Sequence, residues 1–237
     1  MALQQIPAFS KLGRDELCFA PATRIQQSFV AAAEKKVLLW LAARTPAWIN
    51  SDHLTLLGFA GNIAAGVCYA LAAREPMMLL GAVACLAINW LGDSLDGTLA
   101  RVRNRQRPRY GFYVDHVIDT FSAFFLMGGL ALSGYVHPAV AMGMLLAFLM
   151  LSVEVYLASY TLKTFRLSYA KFGPTEIRIL LAVGSVALLF WPVVHIFGRA
   201  YPLFDVGGAI AIVGMAGILV VSAFCHTLQL YREERLQ

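Results

Sequence analysis

Asp93, Asp96, Asp115 and Asp119 are the residues of this chain best suited to chemistry, because each stands in a stretch that is otherwise apolar. A charged side chain inside a bilayer costs at least ~2.5–3.5 kcal/mol on insertion scales, so such residues mark a pathway, a partner or a reaction. Carboxylates brought together repel one another, and burial disfavours their charged form. A divalent cation that prefers hard oxygen ligands, Mg²⁺ or Mn²⁺, relieves both problems. The spacing supports one shared site. On a helix, Asp93, Asp96, Gly97, Ala100 and Arg101 fall within an arc of about 140°. Gly111, Asp115 and Asp119 recur at intervals of four and form one stripe. Gly97, Ala100 and Gly111 leave room for a ligand or a neighbouring helix. Three chemistries suit such a cluster: metal-assisted group transfer, a divalent-cation pathway, or structural pairing with Arg101. A transport pathway would spread its carboxylates across the bilayer, whereas these gather at one end of their helices. A scaffold without chemistry leaves the cluster unexplained.

These residues need helices to carry them. The chain has 237 residues, 59% of them hydrophobic, and a mean hydropathy of +0.66. A soluble globule is nearer half apolar, so the bilayer is the favoured solvent. The first ~30 residues are mixed and polar, without a basic region, short apolar run and cleavage site, which predicts no cleaved signal. A spanning helix needs ~20 mostly apolar residues. Six stretches qualify: His53–Ala73, Met77–Arg101, Gly111–Gly134, Pro138–Leu162, Pro174–Phe197 and Asp205–Tyr231. The expected fold is all-α and polytopic, with six transmembrane helices in a catalytic domain of residues 51–237 and a cytoplasmic segment over residues 1–50. In that segment, Ala31–Leu41 is predicted to be an amphipathic helix on the cytoplasmic leaflet, ended near Pro46.

Charge sets the orientation. With both termini on one side, 17 of the 19 Lys and Arg lie there, leaving Arg74 and Arg199 opposite. The positive-inside rule puts that side, the termini and the aspartates in the cytoplasm, at the cell inner membrane if the source is bacterial. The net charge of +5 suits anionic lipid head groups and argues against nucleic acid as a partner. Cys18, Cys68, Cys85 and Cys225 are scattered without metal-binding spacing and read as reduced apolar fillers.

The segment Asp93–Arg101, nine further residues, then Gly111–Asp119 follows the pattern Asp-x2-Asp-Gly-x2-Ala-Arg, spacer, Gly-x3-Asp-x3-Asp. It resembles the signature of the CDP-alcohol phosphotransferases, also called CDP-alcohol phosphatidyltransferases, at all eight specified positions over 27 residues. The resemblance implies a phospholipid-synthesising enzyme that moves a substituted phosphate from a CDP-linked donor to an alcohol and releases CMP. It implies that Asp93, Asp96, Asp115 and Asp119 hold one or two Mg²⁺ or Mn²⁺ ions, with Asp119 as ligand, general base or both. Asp93, Gly97, Ala100, Arg101 and Gly111 would bind the donor nucleotide, with Arg101 on a phosphate. Two donors stay open. CDP-diacylglycerol with a small polar alcohol or alcohol phosphate is preferred. The alternative is a CDP-amino-alcohol of the choline or ethanolamine type with a diacylglycerol-like acceptor. Either allows a homodimer.

Other residues carry weaker signals. His116 follows Asp115, and an Asp-His pair there looks like the choline and ethanolamine phosphotransferases, in which neutral imidazole suits a base for a lipid hydroxyl. Packing within the helix explains it equally well. Gly173–Pro174–Thr175–Glu176 opens a helix, with Glu176 either a capping acid or a ligand contact. Arg166, Lys171 and Arg178 suit a phosphorylated acceptor, or snorkelling alone. Glu154 is expected to pair with Arg178 or Lys163. Arg103, Arg105, Arg107 and Arg109 read as topology determinants. Relatives often show Pro-Asn-x-Leu/Ile-Thr where this chain has Asp52–His53–Leu54–Thr55, so the asparagine's role does not carry over. His137, His195 and His226 are too dispersed to serve as metal ligands.

Overall fold

A computed structural model describes residues 23–25, 31–162, 164–166 and 174–234. In chain order they form β1 (Thr23–Ile25), α1 (Ala31–Arg44), α2 (Ser51–Ala72), α3 (Met78–Val102), α4 (Pro108–Ala131) and α5 (Pro138–Thr161). Then follow β2 (Thr164–Arg166), α6 (Pro174–Leu188), β3 (Val193–Ile196), β4 (Arg199–Pro202) and α7 (Leu203–Glu233). The starts obey local chemistry. Asn50 and His53 form a reciprocal capping box at α2. Pro108 and Pro138 occupy the first turns of α4 and α5, where a missing N–H is harmless.

The all-α, membrane-spanning architecture is the one the sequence predicts. Five of the described helices, α2 to α5 and α7, are long and apolar enough to cross a membrane. The remaining predicted stretch, Pro174–Phe197, behaves differently. It is helical for 15 residues as α6 and then forms an antiparallel hairpin of β3 and β4. At 1.5 Å per residue α6 alone is short of the ~20 residues of a full span. Pro192 ends it, since the residue before a proline avoids the helical conformation. Phe197 and Gly198, with φ of 51° and 78°, supply the left-handed pair that a two-residue hairpin turn requires. The hairpin and the short parallel pair of β1 and β2 are strands that apolar periodicity did not predict.

Helix α2 lies at the centre, against both α3 and α4. Its backbone touches theirs. A Cβ on Gly92 of α3 would fall 2.4 Å from the Gly58 nitrogen, and one on Gly129 of α4 would fall 2.0 Å from the Gly66 carbonyl oxygen. Small residues permit this approach in a bilayer, where apolar side chains gain little by meeting each other. Asn89 spans the α2–α3 seam, its Nδ2 donating to the Gly58 carbonyl at 2.9 Å. The main core joins Tyr69, Leu79, Leu86, Leu130 and Leu188. At its edge Ser185 of α6 meets the Tyr69 hydroxyl at 2.7 Å.

Helix α1 follows the predicted segment but docks on protein by one face. Leu38 and Ala42 pack with Leu54, Leu95 and Leu99 of α2 and α3, while Val37, Leu39 and Trp40 stay exposed. Arg103 fixes the turn after α1, donating to the carbonyls of Thr45 and Pro46 at 2.8 and 2.9 Å and to that of Ile49. Arg107 pairs with Asp52. These two arginines thus hold the start of α2 as well as adding positive charge.

Candidate active site

The four aspartates come from two helices that follow one another in the chain and both pack on α2. Asp93 and Asp96 lie in the last three turns of α3, and Asp115 and Asp119 in the first four of α4. The short connection between the helices places these ends at the same level. Asp119 is within electrostatic range of Asp93, Asp96 and Asp115, and Asp96 of Asp93 and Asp115. The predicted cluster is therefore assembled in space.

Partners from other helices fix the α3 pair. Asp93 Oδ2 receives Arg178 Nη2 from α6 at 2.6 Å. Asp96 is buried; its Oδ2 accepts from the Thr55 hydroxyl at 2.7 Å, and its Oδ1 from the Gly97 amide. Ser51 donates to the Asp96 carbonyl at 2.9 Å, so the first turn of α2 holds this aspartate by backbone and side chain alike. Arg101 donates to Thr98 at 3.1 Å and lies over Gly97, where a Cβ would come 3.4 Å from its guanidinium. Gly111 faces open space. Ala100 lines a cavity of about 390 Å³ with Asn50, Ser51, Asp52, Arg103 and Arg107.

The donor set fits a hard divalent cation, since it offers carboxylate oxygens on facing helices. As the side chains lie, no three acidic, imidazole or thiol groups among the described residues converge as ligands of one ion. The reason is visible in the bonds: Asp93 turns to Arg178, and Asp96 to Thr55 and Gly97.

His116 lies to one side of the stripe. Its Nδ1 is 2.6 Å from the Phe112 carbonyl one turn earlier, which accepts its proton. Its ring packs on Phe112 at 4.1 Å and edge-on to Tyr156 of α5 at 4.5 Å. Glu176 is buried in the first turn of α6, so it belongs to the protein interior and to the helix start at once. Arg178 joins the site through Asp93. Arg166 is described only as backbone in β2, and Lys163 and Lys171 lie outside the described residues.

Of the expected partners of Glu154, Arg178 is taken by Asp93 and Lys163 lies outside the described residues. Glu154 Oε1 meets His226 Nδ1 of α7 at 2.5 Å. Periodicity places both groups in apolar helices but cannot say which faces meet. Two residues of the site region escaped sequence reasoning as participants. Thr55 had a signal, the Leu-Thr that it shares with relatives. Glu34 of α1, whose Oε1 accepts from Trp90, Ser94 and Thr175, had none.

Residues 48–225, the greater part of the chain, match the family described as CDP-alcohol phosphatidyltransferase. The chain belongs to the CDP-alcohol phosphatidyltransferase family. It is accordingly a transferase of substituted phosphate groups in phospholipid synthesis, with a CDP-alcohol as donor and an alcohol as acceptor. The family is generally dependent on divalent cations.

Proposed function

We propose that this member of the family uses CDP-diacylglycerol as donor and transfers its phosphatidyl group to a small polar alcohol or alcohol phosphate. The observation that carries the reading is the meeting of Asp93, Asp96, Asp115 and Asp119 between α3 and α4, with Arg178 delivered to them from α6. The four aspartates would hold Mg²⁺ or Mn²⁺, which would supply positive charge to the pyrophosphate and the departing CMP. Gly97, Ala100 and Gly111 leave the faces of both helices low enough for the nucleotide to approach. Arg101, and Arg178 beside Asp93, offer planar guanidinium donors to phosphate oxygens.

Chemistry follows from the order of the stripe. The acceptor hydroxyl oxygen attacks the phosphorus that carries diacylglycerol. The bond from that phosphorus to the oxygen bridging it to CMP breaks, and CMP leaves with that oxygen. The hydroxyl proton passes to the Asp119 carboxylate, which lies one turn deeper than Asp115. The placement of His116 to one side of the Asp115–Asp119 stripe, packed on Phe112 and Tyr156, supports Asp119 over His116 as base, and with it the CDP-diacylglycerol donor. Residues 51–237 would form the catalytic unit, with residues 1–50 and both termini in the cytoplasm. The distribution of 17 of the 19 Lys and Arg supports that orientation.

The test is CMP release by purified protein. Radiolabelled CDP-diacylglycerol is supplied with polar alcohols in one series, and CDP-choline or CDP-ethanolamine with diacylglycerol in another. Turnover only in the first series is the expected result. Turnover only in the second would move the donor assignment. Divalent-ion flux into vesicles without CMP from either series would replace the enzyme reading with transport.

A further inference from the structure

Glu34 of α1 lies far in sequence from the signature yet touches its first helix, α3. Its Oε1 accepts three hydrogen bonds: from Trp90 Nε1 at 2.8 Å, Ser94 Oγ at 3.1 Å and Thr175 Oγ1 at 2.9 Å. Two donors belong to α3 and one to the first turn of α6, whereas Glu34 sits on α1. One carboxylate oxygen therefore ties three helices that are far apart in sequence. Three hydrogen bonds on one carboxylate oxygen make the junction strong for its size.

Its position relative to the site gives it a role. Ser94 directly follows Asp93. Thr175 and Arg178 are three apart on α6, hence neighbours on one face. The same two helices that Glu34 joins are joined again by the Arg178–Asp93 contact at 2.6 Å. In the same first turn Glu176 is buried, so the start of α6 faces the protein interior. The far half of α6 is held through Ser185 and Tyr69. The near half is gripped at Thr175 and at Arg178.

We infer that Glu34 is a positioning residue that clamps the first turn of α6 to α3 and so delivers Arg178 to Asp93. It touches neither donor nor acceptor. The cytoplasmic helix α1 thereby becomes part of the catalytic architecture as well as a membrane-surface element. The role in catalysis rests on the transfer reading above, but the clamp itself does not.

Two readouts separate them. Hydrogen exchange followed by mass spectrometry reports the clamp in the absence of substrate. In Glu34→Ala, amides of a peptide covering residues 174–180 should exchange at least roughly tenfold faster, as expected for a locally released turn, while α4 peptides stay unchanged. Glu34→Gln keeps an acceptor oxygen and should restore most of the protection. Kinetics report the consequence. Outer partners of metal-binding groups are generally worth 10–100-fold in affinity or activity, so the half-saturating Mg²⁺ or Mn²⁺ concentration for CMP release should rise about tenfold or more in Glu34→Ala. Glu34→Gln should recover most of that loss, and Glu75→Gln, in the loop at the opposite helix ends, should change neither readout. Unchanged exchange at 174–180 in Glu34→Ala overturns the clamp. Faster exchange with an unchanged metal requirement overturns its link to the site. A wild-type protein that releases no CMP would defeat the transfer reading, and the exchange measurement would still decide the clamp.

Discussion

The two seams of the molecule are built by different rules. Between α2 and its neighbours α3 and α4, backbones touch at Gly58–Gly92 and Gly66–Gly129, and polar groups cross the seam at Ser51, Thr55 and Asn89. Between α5 and α7, side chains do the packing. Gly208 looks onto Val140 and Met144, Gly143 onto Ile212, and Glu154–His226 is a half-buried polar link. Helix α7 also leaves Ile210, Val213, Val220, Val221 and Phe224 exposed, as a lipid-facing surface does. Backbone contact tolerates no added atom and little relative motion. Side-chain contact can repack. The signature carboxylates sit on α3 and α4, the two helices that α2 holds by backbone contact, which suits a site whose ligands must converge from two helices.

The sharpest way to break this contrast is to add bulk on both seams. Gly129→Leu should leave little folded protein, because even a Cβ there falls 2.0 Å from the Gly66 oxygen. Gly143→Ala on α5, where a Cβ would meet only the flexible end of the Ile212 side chain of α7 at 3.0 Å, should express and unfold close to wild type. Size-exclusion profiles and thermal unfolding in detergent check the pair. Similar losses in both would show that the two seams do not differ as described.

Next in size are effects confined to chemistry. Chelation by EDTA should abolish CMP release, and Mg²⁺ or Mn²⁺ should restore it. Full turnover without any divalent ion would refute the metal reading. Asp119→Asn keeps shape and removes both charge and base, so kcat should fall roughly 10²–10⁴-fold, the range for loss of a general base. Its fold should survive, because the change adds no bulk at the glycine contacts of Gly58–Gly92 and Gly66–Gly129. A near-normal kcat would remove Asp119 from the proton transfer.

The α5–α7 seam should respond in the opposite sense. Polar contacts between transmembrane helices average only about 0.6 kcal/mol and reach about 1.7. Glu154→Gln should therefore lower the unfolding temperature modestly, with kcat within about threefold of wild type, if that seam only holds helices together. A large kcat loss at preserved stability would bring α7 into the reaction.

What the sequence revealed divides along the same line. Asp93, Asp96, Asp115 and Asp119 were legible because helical period and a short connection suffice to bring them together. The five long helices were legible because apolar length is a local property. Interhelical partners were not. Arg178 meets Asp93 and Glu154 meets His226 because of how α6 and α7 rotate against their neighbours, and residue spacing along one helix carries no such information. The end of α6 was obscured for a related reason. Val193–Ile196 is apolar enough to extend a span, yet Pro192 before it and the Phe197–Gly198 turn after it redirect the chain into a hairpin.

The smallest expected effect tests which donor the site serves. His116 stands beside Asp115 in sequence, but at 100° per residue it points to a different side of α4 from the Asp115–Asp119 stripe. There it meets Phe112 and Tyr156, and its Nδ1 proton goes to the carbonyl of its own helix. A base must reach the proton it removes within about 2.6–3.2 Å or through one water. The ring of His116 is instead packed between Phe112 of its own helix and Tyr156 of α5. His116→Ala should therefore lower stability through lost aromatic packing of about 0.5–1.5 kcal/mol per pair, and change kcat only a few-fold. His116→Phe should recover much of the stability. Measured with saturating CDP-diacylglycerol and polar alcohol, that pattern supports Asp119 as the base. A kcat loss of a hundredfold or more in both variants, with donor KM unchanged, would make His116 the base and shift the assignment to a CDP-amino-alcohol donor with a lipid acceptor.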